Sequence, residues 1–233
     1  MIPSAGRIPL TIGLLLLASC GEKKPAATNE AGDPLPAAPG PAPADATMPT
    51  IVFVGTSLTA GYGLPDPSLA YPALIQRKID SLGLKYRVVN RGVSGETSAG
   101  ALARIDWVLS QGPVAVLVIE TGANDGLRGQ DPESMKRNIR MMMEHARKRQ
   151  PPPVIVLVGM EAMPNLGETY AARFRAIYPE LARENSTKLV PFLLEGVAGV
   201  DSLNQPDGIH PTAKGAERVA ETVWRVLEGV VRP

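Results

Sequence analysis

Short apolar runs alternate with longer stretches of helical periodicity through most of this chain, and this alternation limits its fold more than any other feature. Five runs rich in β-branched residues predict β-strands: Ile51 to Val54, Tyr86 to Val89, Val114 to Ile119, Val154 to Val158 and Lys188 to Phe192. Five stretches predict helices: Tyr71 to Leu82, Ser98 to Ser110, Pro132 to Arg149, Thr169 to Ser186 and Thr212 to Val231. The third and fourth runs are apolar almost throughout, as is typical of parallel strands covered by helices. The pattern predicts an α/β fold, a three-layer α/β/α sandwich around a mostly parallel five-stranded sheet.

The N-terminal residues follow a different pattern. The apolar run from Ile8 to Ala18 is shorter than the roughly 20 residues that span a bilayer, and it predicts a signal peptide over residues 1–19. The segment Leu17-Ala18-Ser19-Cys20 resembles a bacterial lipobox, which implies cleavage before Cys20 and its lipidation; ordinary secretion is the alternative. By resemblance to bacterial lipoproteins, Gly21 favours sorting to the outer membrane. We therefore expect a lipid-anchored protein of the bacterial envelope that faces the periplasm.

Residues 20–49 are dense in proline and alanine and contain almost no large apolar side chains. They predict a disordered tether behind the lipidated cysteine, with the folded domain spanning residues 50–233. Cys20 is the only cysteine, so this domain holds no disulfide. The 24 basic and 23 acidic residues nearly balance and aromatic residues are scarce, which argues against a nucleic-acid partner.

Near the C-terminus, Asp207 stands three residues before His210. A histidine exchanges a proton near neutral pH, and an ionised aspartate beside it fixes its tautomer and stabilises the imidazolium. The other histidine, His145, lies in a basic helical stretch, and we interpret it as a surface residue. Asp207 and His210 are therefore candidates for an orienting carboxylate and a general base, and they require a nucleophile elsewhere in the chain.

Ser57 is the candidate nucleophile because its loop, Gly55 to Gly61, directly follows the first predicted strand. In α/β folds ligands bind at the carboxyl ends of the strands, and a serine hydroxyl needs a base within hydrogen-bond reach. By itself, a serine in a glycine-rich loop is most often a turn or cap residue. The second and third strands lead into Asn90 to Thr97 and Glu120 to Gly126, which bring glycine and small polar residues to the same edge.

Taken together, four ordered motifs resemble those of the SGNH hydrolase, or GDSL-like, superfamily: Gly-x-Ser-Leu-Thr, Gly-Val-Ser-Gly-Glu-Thr, Gly-x-Asn-Asp and Asp-Gly-x-His-Pro. The likeness is greatest to the bacterial arylesterase, thioesterase I and lysophospholipase L1 branch. It implies a flavodoxin-like sandwich and a serine hydrolase that cleaves ester bonds through an acyl-enzyme. Ser57 would be the nucleophile, His210 the general base and then acid, and Asp207 its partner. The backbone N–H groups of Ser57 and Gly95 and the side-chain amide of Asn124 would form the oxyanion hole.

The chain departs from the family motif, which usually reads Gly-Asp-Ser, because Thr56 stands in the middle position. Any hydrogen bonds that the aspartate makes must be replaced or lost, so we expect an effect on the rigidity of the loop and not on the class of reaction. A second serine, Ser94, is flanked by glycines, but Glu96 breaks the nucleophile-elbow pattern Gly-x-Ser-x-Gly. We interpret Ser94 as structural.

The segment Gly159 to Gly167 is apolar enough to line an acyl site, and the resemblance places a substrate-recognition loop there. Met160, Met163 and Leu166 are its candidate substrate-binding residues, with simple loop packing as the alternative. An envelope location favours lysophospholipids or other lipid-like small-molecule esters. The remaining alternatives are a carbohydrate O-acetylesterase and a catalytically silent lipoprotein that binds acyl chains or glycans.

Neither a cofactor nor a metal is expected. Two distant histidines and one cysteine form no cluster with metal-ligand spacing. The loop Gly55 to Gly63 lacks the Gly-Lys-Ser/Thr ending of a phosphate-binding loop. The sequence carries no signal for a particular oligomeric state.

Overall fold

The computed structural model describes residues 48–232. The strands are β1 (Thr50–Gly55), β2 (Arg87–Gly92), β3 (Val116–Glu120), β4 (Val154–Val158) and β5 (Lys188–Val190). The α-helices are α1 (Ser57–Ala60), α2 (Tyr71–Ser81), α3 (Ser98–Ser110), α4 (Ala123–Leu127), α5 (Pro132–Arg147), α6 (Glu168–Glu184) and α7 (Ala213–Val231). Single 3₁₀ turns lie at Pro67–Leu69, Pro164–Leu166 and Asp201–Leu203.

All five strands are parallel and lie in the order β2-β1-β3-β4-β5. The central register places Phe53 of β1 opposite Val118 of β3, which in turn lies opposite Val156 of β4. All three side chains are fully buried, as expected of strands covered on both faces. The predicted α/β fold is confirmed.

The helices cover this sheet with their apolar faces. α2 packs against α7, while α3 packs against α5 and α5 against α6. In α7, Val219, Val223 and Leu227 recur every fourth residue and are buried, so one stripe of the helix faces the core. These helices fix the sheet and leave the loops at the carboxyl ends of its strands to form the site.

Several element ends differ from the sequence-based prediction. β5 ends at Val190 because the next residue, Pro191, has no N–H to donate to the ladder. β2 continues to Gly92, beyond its apolar residues, because its backbone stays paired with β1 as far as Gly55. The sequence predicts loops where the short helices α1 and α4 lie, since four or five residues are too few to show a helical period.

The predicted signal peptide, the lipobox cysteine Cys20 and almost all of the predicted tether lie outside the described residues. Between residues 48 and 232, no helix is long and apolar enough to cross a membrane.

Candidate active site

The candidate residues lie where the strand order changes direction. β1 has β2 on one side and β3 on the other, so the chain segments that leave β1 and β3 run to opposite faces of the sheet and open a crevice between them. Ser57 follows β1 after one intervening residue, and Asn124 lies in the helix that follows β3. The topology therefore brings these two distant sequence segments to one crevice.

Ser57 is the first residue of α1 and is almost completely buried, with 9% of its surface exposed. Thr56 caps this helix, and its side-chain oxygen accepts a hydrogen bond from the N–H of Leu58. The N–H groups of a first helical turn have no intrahelical acceptor. The N–H of Ser57 is therefore free of the helix's own ladder and can serve a ligand.

His210 links Ser57 to Asp207. Its Nε2 lies 2.8 Å from Oγ of Ser57, and its Nδ1 lies 2.7 Å from Oδ2 of Asp207. An ionised carboxylate only accepts hydrogen bonds, so Nδ1 must carry the proton. In the neutral ring Nε2 is then the acceptor for the hydroxyl of Ser57. This tautomer is the one that a general base for Ser57 requires.

Asp207 is held in its ionised form by its surroundings. The hydrogen bond from His210 lowers the pKa of this carboxyl from 3.8 to about 2, with smaller contributions from backbone donors. Those donors are the N–H groups of Ile209 and His210, each 3.0 Å from Oδ1. The turn that contains the pair thus stabilises both the charge and the orientation of Asp207.

Hydrogen bonds from Gln205 connect the turn that contains His210 to the loop after α1. The N–H of Gln205 donates to the carbonyl of His210 at 2.7 Å, and its side-chain amide donates to the carbonyl oxygens of Tyr62 (2.8 Å) and Pro211 (2.9 Å). The ring of Tyr62 lies 4.7 Å from the imidazole, centroid to centroid. These contacts fix the position of His210 relative to Ser57.

Gly95 and Asn124 lie on the same cavity as Ser57. Gly95 has φ of +78°, a conformation that favours glycine, and its carbonyl accepts a hydrogen bond from Arg128 at 2.9 Å. Asn124 donates one side-chain N–H to the carbonyl of Glu96 at 3.0 Å. A primary amide has two N–H groups, so this contact orients the amide and leaves the second N–H for a ligand.

The buried carboxylate of Glu120 organises the loop that carries Ser57. It accepts hydrogen bonds from the N–H of Thr56 (2.8 Å), the hydroxyl of Thr56 (3.0 Å) and the hydroxyl of Thr59 (2.8 Å). Burial raises the pKa of Glu120, and these donors oppose that shift. Thr56 therefore supplies two donors to Glu120 at the position where the family motif has an aspartate.

Asp125 plays a comparable part beside Asn124. It is buried and accepts hydrogen bonds from the N–H and the hydroxyl of Ser98, at 2.8 Å and 2.5 Å. The bonds join the start of α3 to α4. The sequence-based prediction assigns no role to Glu120 or Asp125. For Glu120 a signal was available, because it is a lone carboxylate at the end of an otherwise apolar strand.

A cavity of about 710 Å³ adjoins these residues. Of the three residues that the sequence suggests for an acyl site, Met160 and Met163 line this cavity, whereas Leu166 is half-buried and is not among the lining residues. Further apolar lining comes from Leu58, Leu127, Phe192, Leu194 and Ile209. The cavity can therefore accept an apolar group much larger than a methyl.

Other sequence candidates lie as follows. Ser94 lines the cavity but is not hydrogen-bonded to His210. His145 lies on α5, and its Nδ1 is 2.8 Å from Oδ1 of Asp106. Within residues 48–232, no group of three or more histidine, cysteine, aspartate or glutamate side chains is arranged to hold a metal ion.

Comparison with known proteins identifies the family. A profile of the GDSL-like Lipase/Acylhydrolase family matches residues 53–218. The chain is 42% identical over 183 residues to Esterase TesA of Pseudomonas aeruginosa, covering 78% of this chain and 90% of that protein. It is 35% identical over 186 residues to Thioesterase 1/protease 1/lysophospholipase L1 of Escherichia coli K12, covering 80% and 86%.

The fold is likewise similar to that of a solved esterase. The crystal structure of AlinE4, an SGNH-hydrolase family esterase, superposes with a TM-score of 0.65 at 38% identity, covering 80% of this chain and 98% of that one. The resemblance drawn from the four motifs is thus confirmed. The chain belongs to the GDSL-like lipase/acylhydrolase family and is a carboxylic ester hydrolase with the SGNH-hydrolase fold.

Proposed function

We propose that this protein is a serine esterase that hydrolyses carboxylic esters or thioesters through an acyl-enzyme formed on Ser57. The observation that carries the proposal is the continuous hydrogen-bonded line from Ser57 through His210 to Asp207. It supplies a nucleophile, a base and an orienting carboxylate in the order that acyl transfer needs.

The first half of the reaction forms the acyl-enzyme. Nε2 of His210 takes the proton of the Ser57 hydroxyl while Oγ attacks the carbonyl carbon of the substrate. The imidazolium that results is stabilised by the ionised Asp207. It then gives its proton to the departing alkoxide or thiolate, which leaves as alcohol or thiol.

The second half returns the enzyme to its starting state. His210 takes a proton from a water molecule, and the resulting hydroxide attacks the acyl carbon. Collapse of the second tetrahedral intermediate releases the carboxylic acid and returns the proton to Ser57. Each proton that His210 accepts is thus given up again in the same half-reaction.

The oxyanion of both intermediates is held by the N–H groups of Ser57 and Gly95 and by the free side-chain N–H of Asn124. Donors of this kind act most strongly in the transition state, and each is worth roughly 100- to 1,000-fold in turnover. The hydrogen bonds from Arg128 to the carbonyl of Gly95 and from Asn124 to the carbonyl of Glu96 support this assignment, because they fix the two groups before substrate arrives.

For the substrate, we propose a lipid-like ester with an extended acyl chain. The volume of about 710 Å³ and the lining by Met160, Met163 and Leu127 support it, since an acetyl group would leave most of this apolar space unfilled. This favours an acyl-chain ester over a sugar acetate. The name lysophospholipase L1 in the Escherichia coli relative agrees with this class of substrate.

We also propose that the enzyme is anchored to the bacterial outer membrane through lipid on Cys20 and faces the periplasm. The lipobox-like segment Leu17-Ala18-Ser19-Cys20 and Gly21 support this location. Residues 20–49 would then act as a tether between the lipid and the catalytic domain.

Replacement of the nucleophile tests the proposed reaction. Ser57→Ala should lower kcat for p-nitrophenyl butyrate by about 10⁴- to 10⁶-fold, because it removes the hydroxyl that is hydrogen-bonded to Nε2 of His210, the nitrogen that acts as the base. The matched control is Ser94→Ala, at the other serine that lines the cavity, which should retain most of the activity. Undiminished turnover by Ser57→Ala would rule out Ser57 as the nucleophile.

The hydroxyl of Thr56 should matter for the chemical step. Thr56→Val removes a donor to buried Glu120 and should lower the free energy of unfolding by about 1–3 kcal/mol. Loss of this bond should also displace the turn that carries Ser57, and this displacement should lower kcat by about 10- to 100-fold with a smaller effect on KM. Thr56→Ser keeps the hydroxyl and should restore both values. Equal kinetics and equal urea midpoints for all three proteins would contradict this role.

The ionisation of Asp207 should depend on His210. An NMR titration of the Asp207 carboxyl carbon should give a pKa of about 2, rising toward 3.8 in His210→Ala because the largest stabilising hydrogen bond is lost. Since the pKa is lower in the folded state, any stability that Asp207 contributes is present above pH 3.8 and is lost as the pH falls through about 2. An unchanged pKa in the variant would show that the backbone donors alone hold the charge.

Lipidation should depend on Cys20. In a bacterial host fed an alkyne-tagged palmitate, the full-length protein should carry the label and sediment with membranes, whereas Cys20→Ser should be unlabelled. Ser57→Ala serves as the control, because it leaves the lipobox intact and should be labelled normally. Label in Cys20→Ser, or none in the parent protein, would contradict the proposed anchor.

A further inference from the structure

The charge of the cavity is uneven. Among its lining residues are two carboxylates, Glu161 and Asp207, and no lysine or arginine. Asp207 is engaged with the imidazole of His210. Glu161 takes no part in that line of hydrogen bonds; it follows β4 and stands between two residues that also line the cavity, Met160 and Ala162.

Glu161 has a cationic neighbour, Arg175, that forms no hydrogen bond with it. Nη1 of Arg175 lies 3.8 Å from Oε1 of Glu161, beyond the usual hydrogen-bond distance. The side chains of Glu161 and Arg175 are 45% and 61% exposed, and pairs so open to water contribute little. Arg175 therefore offsets part of the negative potential of Glu161, and the remainder, reduced by water, acts on a ligand in the cavity.

A basic residue near the cavity, Arg128, is directed toward the loop after β2. Its guanidinium donates to the carbonyl of Gly95, in the loop after β2. In the sheet β2 and β4 are separated by β1 and β3, so their ends lie about 14 Å apart. The guanidinium of Arg128 thus lies beside the proposed oxyanion site, whereas Glu161 follows β4 next to Met160.

We propose that Glu161 is a specificity-determining residue, which favours esters that place an uncharged or cationic part of the acyl or alcohol group near it over esters that place an anionic part there. The inference rests on the proposed esterase function and narrows its substrate class. A charge on the substrate about 7 Å from Glu161 should change kcat/KM by roughly 3- to 50-fold, depending on how much water lies between them. Salt should reduce the effect because Glu161 is partly exposed.

Two sets of substrates separate the acyl side from the alcohol side. For the acyl side, p-nitrophenyl valerate is neutral, p-nitrophenyl 4-(trimethylammonio)butyrate is cationic and mono-p-nitrophenyl glutarate is anionic, at similar chain length. For the alcohol side, butyrylcholine is compared with its uncharged isostere 3,3-dimethylbutyl butyrate. The set whose selectivity responds to Glu161 identifies which half of the substrate lies near it.

The variants are compared as full-length protein by the ratio of kcat/KM between charged and neutral substrates, so that any general effect on catalysis cancels. In at least one set, Glu161→Gln should reduce the preference for the more positively charged ester by about threefold or more, whether that preference is cationic over neutral or neutral over anionic. Glu161→Lys should reverse the same preference. The matched control is Glu168→Gln, at an exposed acidic residue of α6 that does not line the cavity. It should leave the ratios unchanged.

Unchanged ratios in both Glu161 variants would overturn the inference while leaving the proposed reaction intact. Failure of the parent protein to hydrolyse any of these esters would instead contradict the proposed function. In that case the role of Glu161 is tested by ligand binding, which needs no turnover. Calorimetry on Ser57→Ala should show tighter binding of butyrylcholine than of its neutral isostere. Equal affinity there, or a difference that Glu161→Gln does not alter, would also overturn the inference.

Discussion

A buried carboxylate on β3 holds the candidate site in place. Glu120 stands at the end of a central strand, and its oxygens accept hydrogen bonds from Thr56 and Thr59 on either side of Ser57. Hydrogen bonds to a charged group are worth about 1.5–3 kcal/mol each, and a buried carboxylate without them would be costly. The ends of β1 and β3 are thus tied together through the turn that carries Ser57. Thr59 also bonds to the hydroxyl of Tyr71, which joins this turn to α2.

The rest of the site depends on that fixed turn. Ser57 and His210 are 153 residues apart in the chain, and their 2.8 Å contact requires both loops to be held independently. Glu120 holds the first loop, while Asp207 and Gln205 hold the second. The third group, Asn124, is oriented by the carbonyl of Glu96 and supported by its neighbour Asp125. The three segments that carry Ser57, His210 and Asn124 are therefore each held by their own hydrogen bonds where they meet at the site.

Much of this could be predicted from the sequence, for identifiable reasons. The apolar runs around Val118 and Val156 gave the strands, and the order of the four motifs indicated the family and the residues now found around one cavity. Element ends were less predictable because Pro191 and the pairing of Gly92 act through the backbone. Glu120 was missed because hydrogen bonds between strand ends leave no periodic signal. Leu166 ends a 3₁₀ turn and lies outside the cavity lining, a position that the apolar composition of the segment does not predict.

The replacement of the family aspartate by Thr56 is accommodated in this arrangement. A second carboxylate at that position would bring another acceptor close to Glu120, whereas the threonine hydroxyl donates to it. The turn that carries Ser57 is thus held in place by a different set of polar groups. Thr56 supports the site through Glu120, while Ser57 and His210 carry the chemistry in the proposed reaction.

The central claim is that Ser57 becomes acylated. Mass spectrometry of the protein quenched in acid during turnover of a slowly released p-nitrophenyl ester tests it most directly. The account predicts one added acyl group per chain, located on the peptide that contains Ser57. Steady hydrolysis with no acyl group on that peptide, or with the group on another residue, would contradict it.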